Sequence, residues 1–158
     1  GDRVYIFGTR DAVHPKEAHV ARAAPDSLAG PWEYFDGRAW SPRPQDSAAV
    51  LTGVSTQYAV VRWGAGYVLV TMDGRVPFAD AILLFRAEAP QGPWGEAATI
   101  WRAPEAGGDV VAYNPFAHPQ FQAAEGLLVS YNLNHIRDPE ALYRDAALYR
   151  PRFIRVDP

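Results

Sequence analysis

The sequence predicts an all-β chain built from repeated four-stranded antiparallel sheets, and three observations carry that prediction. Short runs rich in Val, Ile, Leu, Tyr and Phe recur along the 158 residues, each bounded by Gly, Pro or Asp. Two landmarks share one spacing, since Asp11 to Asp73 and Gly30 to Gly92 are both 62 residues apart. About four strands fit into each period, which is the content of one β-propeller blade. Solenoid repeats run shorter, at about 20–45 residues.

The elements follow in order. The chain opens in strand-like sequence from Asp2 to Phe7, and the first β-rich run, Val4-Tyr5-Ile6-Phe7, ends in Gly8-Thr9-Arg10-Asp11. Its counterparts are Tyr67-Val68-Leu69-Val70-Thr71-Met72-Asp73-Gly74 and Leu127-Leu128-Val129-Ser130-Tyr131-Asn132. A second run ending in a basic residue follows each, at residues 19–22, 82–86 and 147–150. The first two units then share a Gly-Pro-Trp turn, so Trp32 and Trp94 recur with the repeat and are expected to be buried. Further strands are predicted over residues 32–35, 57–63, 99–102 and 119–122. One short helix is predicted at residues 140–144, where Asp138 can cap and Pro139 suits the first turn. No loop is long enough to be an interdomain linker. The chain therefore divides into blades at residues 1–50, 51–108 and 109–158, too few to close a propeller. Uncovered β-faces predict self-association, or a missing N-terminal half.

Composition excludes several function classes. Fifteen basic against 18 acidic residues give a net charge of −3, and Lys16 is the only lysine. No basic cluster appears, so nucleic acid and anionic lipid are not expected partners. The absence of cysteine excludes disulfides and thiolate zinc sites. No apolar run reaches membrane-spanning length, and no signal peptide is visible. Aromatics make up 13% with five Trp, which suits an all-β core or a sugar-stacking surface. No phosphate loop, nucleophile elbow, zinc signature or Asp-rich calcium loop occurs, so no cofactor and no metal site is assigned.

The residues resemble a known family. Val54-Ser55-Thr56-Gln57-Tyr58, Arg86-Ala87 with Gly92-Pro93-Trp94, His118-Pro119 and Leu127–Asn132 are similar to a secreted bacterial family of five-bladed propellers, long catalogued as a domain of unknown function. That family is similar to arabinanase-type glycoside hydrolases and includes endo-D-arabinanase-like members. The resemblance implies a five-bladed propeller of which this chain covers about half, a secreted or cell-surface location, and a polysaccharide or oligosaccharide partner. It also implies an acidic residue just before the 54–58 run, where this chain has Gly53 and Val54.

Glycoside hydrolysis ordinarily needs two carboxyls, one protonating the departing oxygen and one attacking or activating water. By repeat position the candidate catalytic residues are Asp11 and Asp73, each following a β-rich run. Both also read as turn residues, Asp73-Gly74 being a good hairpin dipeptide. Gln57, His118 and Asn132 are the candidate substrate-binding residues. His118 lies in an apolar aromatic stretch and either binds a sugar hydroxyl, orients an acid, ligates a cation as in similar arabinanases, or is a core histidine whose ring nitrogens are satisfied by backbone groups. These five residues are expected to gather at one end of the fold, with His118 nearest the centre. The expected function is a glycan-directed propeller related to glycoside hydrolases, acting on arabinofuranose-containing polysaccharide. The alternative is a non-catalytic carbohydrate-binding or protein-interaction propeller, and the absent acid at Gly53 leaves catalysis open.

Overall fold

In the computed structural model, which describes residues 3–121 and 126–157, the chain is all-β, with three antiparallel sheets formed in sequence order. Asp2 and Gln122, which end two of the predicted strands, lie outside the described residues. The first sheet runs β1 (Val4–Arg10), β2 (Glu17–Ala23), β3 (Glu33–Phe35), β4 (Trp40–Ser41), with β5 (Leu51–Thr52) added to β2. The second runs β6 (Tyr58–Trp63), β7 (Gly66–Met72), β8 (Ala81–Ala87), β9 (Ala98–Arg102). The third joins β10 (Val110–Ala117) and β11 (Leu127–His135) to β12 (Arg152–Val156), after two single-turn helices, α1 (Ala141–Arg144) and α2 (Ala146–Tyr149).

The second sheet sits between the other two. Val68, Val70, Met72, Ile82 and Leu84 pack with Leu127, Val129, Tyr131 and Leu133 of the third sheet. Leu69, Ala81, Leu83 and Phe85 point the other way and pack with Ala18 and Val54. Successive strand residues face opposite sides, so covering both faces demands an unbroken apolar run. That is what β7 and β8 show, with Val68 to Met72 and Ala81 to Phe85 all buried. β11 is covered on one face only, and its sequence alternates accordingly: Leu127, Val129, Tyr131 and Leu133 are buried and the residues between them less so.

Several expectations are corrected. The first sheet extends to Thr52 rather than ending at residue 50, because Leu51 and Thr52 pair back with Ala18 and Glu17. The sheets hold five, four and three strands rather than four each. The predicted strand at 147–150 is helical, since the Asp145 carboxylate accepts from the Ala147 amide at 2.8 Å and Ala-Ala-Leu-Tyr favours a turn of helix. Its place beside β11 is taken by β12. Pro119–Phe121 forms a single 3-10 turn, not a strand. Trp32 and Trp94 are half-buried, Trp94 against the apolar layer between the first two sheets and Trp32 beside Tyr34.

The 62-residue period marks the hairpins but not their faces. Tyr5 and Tyr67 do lie in adjacent sheets, yet β1 is an edge strand whereas β7 is flanked by β6 and β8. Phe7 meets Tyr58 of the second sheet edge-on, with ring centroids 6.5 Å apart. Leu69, 62 residues later, points back at the first sheet instead of onward to the third. A pleat of period two reverses every side chain for a one-residue slip, so a spacing of 62 residues does not carry the facing of Phe7 over to Leu69.

This layering yields a stability prediction. Leu69→Ala and Leu127→Ala remove side chains from separate apolar layers. Each should cost about 2–5 kcal/mol in urea unfolding, and the double variant about their sum. A double variant no worse than either single one would contradict two independent layers.

Candidate functional site

A cleft of about 550 Å³ lies where the three sheets meet. Its walls come from the β1–β2 loop (His14, Lys16), the β5–β6 connection (residues 54–57), the end of β7 with the following loop (residues 72–74 and 76–79), and β10 (residues 111–114). No single sheet builds it.

Two glycines let these loops close on one another. Gly74 donates its amide to the Gly53 carbonyl at 2.9 Å, and a Cβ on Gly74 would lie 2.1 Å from the Val54 carbonyl oxygen. Gly53 in turn donates to the Lys16 carbonyl at 2.8 Å and holds φ +83, a left-handed conformation that suits glycine. Its Cβ direction is filled by Arg75, whose Cγ would be 2.8 Å away. An acidic side chain at position 53 therefore has no room unless Arg75 moves.

Asp73 closes the floor of the cleft. Its carboxylate accepts two bonds from the Arg75 guanidinium, at 2.7 and 2.8 Å, and one from the Arg75 amide at 3.1 Å. The Arg75 side chain holds the Asp73 carboxyl below its usual range, against a burial that pushes it up. Asp73 is thus both a turn residue and a cleft residue.

The other predicted site residues divide. Gln57 lines the same cleft. Asp11 stands beside it, ion-paired at 2.9 Å with Lys16 and accepting from Thr56 at 3.1 Å. The Lys16 bond lowers the Asp11 carboxyl too. Asn132 pairs in register with Tyr113, which lines the cleft, but does not line it itself. His118 departs from expectation. It lies on the face of the third sheet turned away from the second, bonded through Nε2 to the Ser130 hydroxyl at 2.8 Å and ringed by Phe116, Phe121 and Phe153.

Phe78 and Asn114 escaped sequence reasoning, and they line the cleft together with His14 and Tyr113. Among the described residues only Phe78 (φ 54) and Asn114 (φ 51) are non-glycines with positive φ, and both sit here. Asn114 marks a bulge, since β10 shifts register between Tyr113 and Phe116. Away from the cleft, Glu105 joins Arg152 at 2.9 Å and accepts from the Tyr131 hydroxyl at 2.9 Å. Burial pushes this carboxyl up, but Arg152, its own amide and Tyr131 outweigh that and hold it low. Among the described residues no group of three His, Asp or Glu side chains is arranged to hold a metal ion. A second concavity of about 530 Å³ lies largely over one face of the first sheet, lined by Ile6, Gly8, His19, Ala21, Trp32 and Tyr34.

The acid limb of stability follows from Asp73. Its lowered value means that the Arg75 pair contributes fully above the ordinary aspartate pKa of about 3.9, and is lost as pH falls through the lower folded value. Asp73→Asn should flatten the fall in urea stability below about pH 4. An unchanged acid limb in that variant would contradict the pairing.

The sequence matches, over residues 1–158, the family described as "Domain of unknown function (DUF5005)", and the chain belongs to that family. No curated protein matches it. Among solved structures, a crystal structure from Bacteroides ovatus ATCC 8483 called a "putative hydrolase" superposes with a TM-score of 0.78 at 23% identity. That match covers 98% of this chain and 42% of the other, so the two share a fold over the whole of this chain and less than half of the longer one.

Proposed function

We propose that this member of the DUF5005 family is a glycan-directed β-propeller module related to glycoside hydrolases, with the cleft between the three sheets as its carbohydrate site. The observation that carries the reading is how charge is distributed there. Lys16 is paired with Asp11, and Arg75 beside the cleft is paired with Asp73. Of the polar side chains lining the cleft, those without a hydrogen bond to another described residue are two amides, a phenol and an imidazole: Gln57, Asn114, Tyr113 and His14. Such groups donate and accept without adding fixed charge, which complements sugar hydroxyls better than a phosphate or carboxylate ligand. Three antiparallel sheets stacked in chain order support the blade reading, and the share of the solved relative that this chain spans fits a partial propeller. The relative's description as a hydrolase supports the hydrolase relation. The substrate class we assign is neutral, arabinofuranose-containing polysaccharide, encountered outside the cell or at its surface.

If the site hydrolyses, Asp73 supplies the ionised carboxylate that attacks or activates water. A general acid must keep its proton near neutrality, and both Asp11 and Asp73 are held below their usual range by cations. That observation favours the second reading, in which this chain binds glycan without cleaving it.

Calorimetric titration with arabino-oligosaccharides tests the reading, followed by assay of the same mixtures for released reducing ends. Gln57→Ala should weaken binding by about 1–3 kcal/mol, the cost of leaving a ligand polar group unmet. Absence of binding to any neutral oligosaccharide would contradict the proposal.

A further inference from the structure

We propose that Phe78 is the stacking platform of this cleft, receiving the apolar face of a neutral sugar ring; the inference rests on the glycan reading above. Phe78 lies in the β7–β8 loop, 71% exposed, with no aromatic partner among the described residues. It also holds φ 54, a backbone region that a bulky side chain occupies at a cost in stability. Burial would offset that cost, and this residue is largely exposed. The fold on its own therefore gives no reason for phenylalanine here, where glycine would sit without strain.

The loop that carries it is nevertheless anchored at both ends. The Asp73 amide bonds to the Ala81 carbonyl at 3.0 Å, and the Ala103 amide to the Asp80 carbonyl at 2.9 Å. Asp80 is also ion-paired with Arg102 at 2.8 Å. Both ends of the loop are thus fixed, and the ring is presented to a cleft that also offers the Gln57 and Asn114 amides. A sugar ring has C–H groups on its faces and hydroxyls at its rim. A rigid aromatic plane supplies apolar contact to the first, and amides bond the second. Asn114, the other strained residue, belongs to the same arrangement.

The test compares the 158-residue chain with Phe78→Gly and Phe78→Trp, titrating arabino-oligosaccharides with oligogalacturonate as the anionic control and recording Tm for each. Phe78→Gly should bind the neutral probe about tenfold more weakly while its Tm stays level or rises, because glycine relieves the left-handed strain. Phe78→Trp should keep affinity within about threefold, since the aromatic plane survives. Wild-type affinity in Phe78→Gly, or a fall in its Tm, would overturn the stacking role and leave the glycan reading standing. A wild-type chain that binds no neutral oligosaccharide would overturn the glycan reading and this inference with it.

Discussion

The structure depends on the burial of the second sheet on both faces. Leu69, Leu83 and Phe85 pack toward the first sheet, and Val70, Ile82 and Leu84 toward the third. Once that sheet is sandwiched, the ends of its strands are carried to a fixed place between the loops of its neighbours. The β7–β8 loop then has nowhere to lie except against the β5–β6 connection. Tyr58 shows how tightly the layers meet: its hydroxyl donates to the Gly8 carbonyl of β1 at 2.7 Å, and burial pushes its phenol up to about 12.

The cleft is a consequence of that closeness. Gly53 and Gly74 allow two backbones from different sheets to bond directly, leaving Arg75 to lie over the space that a side chain at position 53 would take. The same crowding ties Arg75 to Asp73 and so sets the charge of the site. Site electrostatics and sheet packing are therefore not separate features here. The absent acid at position 53, which in the sequence leaves catalysis open, stands where the Arg75 side chain occupies the Cβ direction.

The hairpins were legible because turn residues and β-rich runs are local signals. Asp36-Gly37 reads as a hairpin turn, and its carboxylate accepts from the amides of Arg38 and Ala39. Which face each hairpin presents was not legible, because Phe7 and Leu69 differ by a single step of a two-residue pleat. The strand predicted at 147–150 failed where Asp145 capped a helical turn that local propensity also favoured. Asp73 and Gln57, which flank strands, were legible as candidates and line the cleft, whereas Phe78 and Asn114 lie in a loop and a bulge that carry no periodic signal. Positive φ at a non-glycine residue leaves no mark in sequence. His118 was not placed by sequence, because an apolar aromatic setting describes both a cleft wall and the cluster of Phe116, Phe121 and Phe153 that surrounds it.

The central claim is that ligand recognition occurs between the sheets rather than on an outer face. Mapping backbone amide chemical-shift changes while an arabino-oligosaccharide is added tests this directly. The account predicts that the perturbed amides cluster at Gln57, Gly74, Phe78 and Asn114, drawn from two sheets and from loops far apart in sequence. Perturbations centred instead on Trp32 and Tyr34 of the first sheet, or on His118 and Phe153 of the third, would contradict it.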